Sequence, residues 1–260
     1  MYNHKQGDDF LSIFKTRGIV LRTQDINEND KLLWLFTEKL GRVSVVAKGA
    51  KKGSRFLAPS LQFCYGEYVI YRGKSMYTLN ECQVIESFQG LLKDIEYITY
   101  ASYLCELIQI SMQEEESNRR LFIYLVSAFY IMKNEACDIE ILARAFEVKI
   151  LEATGFSFNF ENCAICRKKL NTSDYISLQY GGGICSNCER INGLKISNAA
   201  FNALRFLSKM SFENIYRVSL SEQLKEELYK ILSLFISQNY FKKPKSLETL
   251  YYLKGVNKNE

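Results

Sequence analysis

Two short motifs limit what this chain can fold into more than anything else in it. Cys163-Ala-Ile-Cys166 is followed, after 18 intervening residues, by Cys185-Ser-Asn-Cys188. A two-residue gap lets both thiolates of a pair reach one tetrahedral ion. A separation of this length fits a hairpin that brings two such knuckles together. Tyr180-Gly181-Gly182-Gly183 supplies a tight turn ahead of the second pair. The expectation is one Zn2+ held by Cys163, Cys166, Cys185 and Cys188. Four thiolates close the coordination shell and leave no position for an activated water, so the ion is structural. A zinc deaminase needs H-x-E and P-C-x-x-C, whereas Ile184 precedes Cys185 here. A thioredoxin-like role needs one such pair beside a βαβ unit, and that context is missing. The other four cysteines, Cys64, Cys82, Cys105 and Cys137, sit in apolar runs and read as core residues.

The same sequence argues against an enzyme. Its single histidine, His4, lies in a polar leader, so nucleophiles activated by histidine and histidine-bound catalytic metals are not expected. Gly49-Ala-Lys-Lys-Gly53-Ser54 lacks the spacing and the Gly-Lys-Ser/Thr ending of a phosphate loop, and no dinucleotide fingerprint exists elsewhere. No stretch approaches the roughly 18 apolar residues of a membrane helix. The polar run Met1 to Phe10 is no signal peptide. The reading is a cytoplasmic protein with reduced thiols, and residues 1–13 are expected to form a disordered leader.

Hydropathy changes period near residue 90. Before it lie β-branched and aromatic runs. They are Ile19 to Leu21, Lys31 to Phe36 with the only tryptophan, Trp34, and Val43 to Val46 after a Leu40-Gly41-Arg42 turn. Glu67 to Arg72, Met76 to Leu79 and Cys82 to Phe88 complete the set. These six runs, read as five strands in about seventy residues with one longer connection after the third, suit a small closed barrel of the OB type over 14–90. A Greek-key or SH3-like barrel fits nearly as well. From Leu91 to Leu151 apolar residues recur at helical spacing, with Asn118 and Asp138 as N-caps and Gly155 as a stop. Ser197 to Met210 and Ser221 to Tyr240 read as two further helices, with Ser219-x-x-Glu222 as a capping box. The expected class is α+β multidomain: an N-terminal small β-barrel (OB-fold), then an α-helical domain over 91–156 and 192–254 with an inserted zinc-knuckle module over 157–191.

Charge is unevenly placed. Lys15 to Tyr77 carries 12 Lys/Arg and 5 Asp/Glu, a net of +7, while the rest of the chain is at −2. Between Lys39 and Gly66 there are six basic residues and no acidic one. This pattern is either a solvated loop or a surface that tracks phosphates. On the second reading Arg42, Lys48, Lys51, Lys52 and Arg55 contact nucleic acid, joined by Arg72 and Lys74 from the neighbouring hairpin. An OB barrel also offers aromatic platforms for bases. Trp34, Phe56, Phe63, Tyr65, Tyr71 and Tyr77 are candidates, with Phe56 first because it lies in the basic loop; each has core as its alternative, since alternating strands bury half their aromatics. Composition does not separate DNA from RNA, and a ribosome-associated protein or a scaffold that binds only protein remains an alternative.

The order of motifs resembles the RecO family of bacterial DNA repair and recombination proteins. The resemblance is carried by Gly18-Ile-Val-Leu-Arg-Thr, Glu28-Asn-Asp-Lys-Leu-Leu, Ala47-Lys-Gly-Ala-Lys-Lys and Ser54-Arg-Phe. Gly66-Glu, Glu86-Ser-Phe, Tyr100-Ala-Ser-Tyr, Arg144-Ala-Phe-Glu and Lys245-Ser-Leu extend it from about Phe14 to Leu250. The four cysteines fall where many members carry zinc knuckles. The resemblance implies an OB barrel, a helical domain and a zinc site. It also implies binding to single- and double-stranded DNA, annealing of complementary strands, and work with RecR and single-strand binding protein to load RecA, without nuclease or ATPase activity. It places the protein in the cytoplasm, with the nucleoid.

Overall fold

A computed structural model describes residues 12–51, 55–74, 76–240, 242 and 244–246. Residues 1–11 of the expected leader, Lys52 and the chain beyond 246 lie outside the described residues, and Ile13, at the end of that leader, opens the first strand. The chain divides into two compact units. One holds the described residues through Ser87 together with Glu114–Ser117; the other holds Phe88–Gln113 and the described residues from Asn118 on.

The first unit is a closed five-stranded barrel in the order β1-β2-β3-β5-β4. The strands are β1 (Ile13–Asp25), β2 (Lys31–Thr37), β3 (Gly41–Ala47), β4 (Tyr65–Arg72) and β5 (Tyr77–Glu86). All neighbours are antiparallel except β3 and β5, which run parallel with Val45 opposite Tyr77. Period-2 alternation fixes the register. On β3, Val43, Val45 and Ala47 are buried while Arg42, Ser44 and Val46 face outward. Val20, Leu33, Leu35, Tyr68, Ile70 and Leu79 complete the core. The runs Met76 to Leu79 and Cys82 to Phe88 turn out to be one strand. A register shift between Val69 and Ile70 on the facing strand absorbs the polar interruption at Asn80 and Glu81.

In the second unit α1 (Ile95–Ser111), α2 (Arg119–Lys133), α3 (Ile139–Ala153), α4 (Asn198–Lys209) and α5 (Glu222–Tyr240) surround a central α3 that packs on the other four. Side-chain oxygens cap the helices as their residue types favour. Asn118 accepts from the Leu121 N–H, Asp138 from those of Glu140 and Ile141, and Ser197 from Ala200. The start of α5 departs from the sequence reading. Ser221, not Ser219, accepts from the Leu224 N–H at 3.3 Å, because Ser221 is the residue immediately before the first helical turn. Within the unit α3 carries a buried polar knot. Arg144 holds Glu147 at 2.6 Å, Tyr103 donates to the same carboxylate, and Tyr229 stacks under the guanidinium. Burial pushes the Glu147 carboxyl up, although Arg144 opposes it. Among the described residues no helix is long and apolar enough to cross a membrane.

Candidate metal centre and nucleic-acid interface

Between α3 and α4 the chain forms a three-stranded sheet of β6 (Tyr175–Ser177), β7 (Gly182–Gly183) and β8 (Gly193–Lys195), with β6 central. The two knuckles hang from it. The Cys163 N–H donates to Lys168 O at 2.8 Å and the Arg167 N–H donates back to Cys163 O at 3.0 Å, which closes the first turn. The Cys188 N–H donates to Cys185 O and closes the second. Arg190 grips Asp174 through both of its Nη atoms at 3.0 and 2.6 Å and ties the second knuckle to the sheet. As a result the Sγ atoms of Cys163, Cys166, Cys185 and Cys188 all lie within 4.8 Å of one another.

These donors fit a metal ion. Sulfurs bound at about 2.3 Å around a tetrahedral ion sit about 3.8 Å apart, and Cys166 Sγ and Cys185 Sγ are separated by 3.8 Å. Burial of Cys163 opposes its ionisation, yet N–H groups of Cys185, Cys166 and Ile165 outweigh it and bring the thiol down to about 6. The Cys188 thiol donates to the Cys185 and Cys166 sulfurs, which keeps its proton on and pushes it up to about 12; a bound cation would displace that proton. Of the remaining cysteines, Cys64 and Cys105 are buried as expected, while Cys82 and Cys137 are only half-buried.

The expected nucleic-acid residues are scattered over the barrel, and several already have partners. Arg42 faces outward on β3 and meets Glu114 at 3.7 Å. Arg72, at the end of β4, meets Glu115 at 3.0 Å. Lys51 pairs with Asp25 at 2.8 Å and donates to Asn27 O. Arg55 donates to Asn80 O at 3.1 Å, and its guanidinium covers the Phe56 ring at 4.8 Å. Lys48 and Lys74 are exposed. Lys52 lies outside the described residues. Phe56 corrects the sequence reading. Its ring belongs to the barrel core at 9% exposure, because the connection after β3 packs apolar side chains against the barrel. Phe63, Tyr65 and Tyr77 are also buried, whereas Trp34 and Tyr71 are half-buried.

Pairing brings together a row that local reading missed. On the outer face of β1, β2 and β3, Arg22 stands opposite Trp34 and Trp34 opposite Ser44, with Arg42 two residues along β3. The Arg22 guanidinium sits 4.9 Å from the Trp34 ring centroid. The only cue in the sequence was the lone tryptophan; Arg22 carries none, since its position depends on a bulge in β1 between Val20 and Arg22.

The chain thus combines a closed OB-type barrel with a helical unit that carries four thiols placed to hold a metal ion. The family profile "Recombination protein O N terminal" matches residues 11–88, and "Recombination protein O C terminal" matches 92–248. The chain is 57% identical over 255 residues to "DNA repair protein RecO" of Clostridium novyi, covering 98% of this chain and 100% of that one. It is 51% identical over 245 residues to the protein of that name from Clostridium acetobutylicum (94% and 99%). The identity is 32% over 236 residues to that from Acetivibrio thermocellus (89% and 92%). The chain belongs to the RecO family.

Proposed function

We propose that the chain is a DNA-binding recombination mediator of DNA repair that uses the outer face of β1–β3 as its single-strand track. The observation that carries this reading is the row Arg22, Trp34, Ser44 and Arg42. Cations that meet phosphates stand there beside an aromatic ring that meets bases, the combination by which barrels of this type hold single strands. The relatives' name, DNA repair protein, supports DNA over RNA as the ligand. On this reading Lys48, Lys51, Lys52, Arg55 and Lys74, with Arg72 from β4, are further phosphate contacts. The finer activities belong to the same proposal. They are binding of double strands, annealing of complementary strands, and cooperation with RecR and single-strand binding protein to load RecA in the cytoplasm. The protein hydrolyses neither DNA nor ATP on this reading, for want of a usable histidine, a phosphate loop or an open metal position. The metal is Zn2+, because four thiolates at tetrahedral spacing suit that ion. Its role is to hold the insertion over 157–191 folded within the helical unit.

The test uses the single tryptophan. Titration with single-stranded DNA is expected to quench Trp34 emission, with an affinity that falls by a slope of roughly −0.7 per phosphate contact as salt rises. Trp34→Ala is expected to weaken binding by about 1–3 kcal/mol at little change of slope. Binding that leaves Trp34 emission and affinity untouched in these two experiments would place the ligand elsewhere and end the proposal. A matched RNA strand that competes better than DNA would favour the ribosome-associated alternative.

A further inference from the structure

The segment Glu114-Glu115-Glu116-Ser117 lies between α1 and α2 in the chain, yet it belongs to the barrel unit. It runs alongside β3 as an acidic strap. The Glu115 N–H donates to Arg42 O at 2.9 Å, and Arg42 and Glu114 form a parallel β-bridge. Gly41 lets the strap come this close; a Cβ there would sit 1.9 Å from Glu116 O. With its backbone so held, the strap points two carboxylates at the track. Glu114 takes Arg42 at 3.7 Å and accepts from Ser44 Oγ at 3.4 Å, while Glu115 takes Arg72 at 3.0 Å.

We propose that the strap is a built-in stand-in for the nucleic-acid backbone, occupying the phosphate positions of the track until a strand displaces its carboxylates. This inference rests on the track reading above and adds its regulation. Three features support it. First, both arginines that meet the strap belong to the expected DNA-binding set. Second, the fit to Arg42 is incomplete. Its Nε is buried without a hydrogen-bond partner and its nearest carboxylate oxygen is 3.7 Å away. A phosphate, with more acceptor oxygens and a free approach, satisfies that fork better than a tethered carboxylate does. Third, the Glu114 and Glu115 side chains are 56% and 43% exposed. They can swing out to water while the Glu115–Arg42 backbone bond stays closed. Exchange of carboxylate for phosphate then needs no unfolding of the strap. The strap also sets a threshold: short or weakly held anions compete poorly with carboxylates tethered at high effective concentration, and a polymer of phosphates competes well.

Measuring single-stranded DNA affinity across a cycle tests this. Glu114→Gln with Glu115→Gln removes the charges and keeps the shape. Breaking two exposed ion pairs that DNA would otherwise have to displace is expected to tighten binding about 2- to 10-fold. In an Arg42→Ala, Arg72→Ala background the same pair of changes is expected to give no gain, since the carboxylates no longer occupy anything. A gain of equal size in both backgrounds means a through-space charge effect only, and overturns the strap. No gain in either, with Trp34 still quenched by DNA, overturns the strap and leaves the track standing. Absence of any DNA binding by the unaltered protein removes both. Thermal unfolding of each variant, followed by Trp34 emission, confirms that affinities are compared between folded barrels.

Discussion

Gly41→Ala measures how firmly the strap is seated, and Gly49→Ala is its natural control. Both glycines hold left-handed backbones, at φ +71° and +69°. A side chain at either position therefore costs about 1–2 kcal/mol in backbone strain. They differ in surroundings. Around Gly49 a Cβ meets nothing within 4 Å, whereas at Gly41 it would lie 1.9 Å from Glu116 O, where real contacts rarely fall below 3.0 Å. The strap must therefore retreat by about 1 Å. That motion breaks the Glu115 N–H bond to Arg42 O, worth about 1 kcal/mol net. It also breaks two half-exposed ion pairs at about 0.2–1 kcal/mol each. Strain cancels in the comparison, so Gly41→Ala is expected to destabilise the barrel by about 1.5–3 kcal/mol more than Gly49→Ala. Urea unfolding of the full chain followed by Trp34 fluorescence reports this, since the sole tryptophan sits on β2. A difference below about 0.5 kcal/mol, within the ordinary scatter of surface substitutions, would refute the claim that the strap rests on Gly41.

Further outcomes follow from the helical unit. Freshly purified protein is expected to carry one zinc per chain by metal analysis, and Cys166→Ser to lose it and to lower the helical unfolding transition while the Trp34 transition stays in place, because closed thiolate sites contribute folding free energy directly; well under one zinc in the unaltered protein would contradict this. Asp138 titrates below its usual range, since bonds from Lys225 and the Ile141 and Glu140 N–H groups outweigh its partial burial. Its folded value lies under its unfolded one, so its stabilisation is present above about pH 4 and is lost as pH falls through the folded value. Asp138→Ala is expected to cost about 1–2 kcal/mol near neutral pH, and circular dichroism melts should show that gap closing between about pH 5 and pH 2; a gap independent of pH would mean that capping by the charged form is not what Asp138 contributes.

What was legible in the sequence had a local signature. The gathering of Cys163, Cys166, Cys185 and Cys188 at one point could be read because ligand spacing within a pair is set by backbone reach over two residues. Asn118 and Asp138 could be read as caps because each bonds an N–H two or three residues away. Where the signature was weaker the reading drifted by a few residues, as at Ser219 against Ser221. It also split β5 in two, since Asn80 and Glu81 look like a turn unless their partners on β4 are known.

The surroundings of the basic residues resisted reading for a different reason. Whether a lysine or arginine is available to a ligand depends on what stands opposite it, and those partners are distant in sequence. Ser44 meets Glu114 across 70 residues, and Arg55 meets Asn80 across 25. A count of charges between Lys39 and Gly66 finds no acid, yet Asp25 and Glu114 reach into that stretch from outside it. Phe56 shows the same limit. Its position in a basic loop suggested exposure, while its ring packs into the barrel core. The strand track proposed for this barrel therefore rests on cross-strand pairing rather than on the basic run itself. Arg22, which no charge cluster singled out, stands beside Trp34 because of a register shift in β1 between Val20 and Arg22.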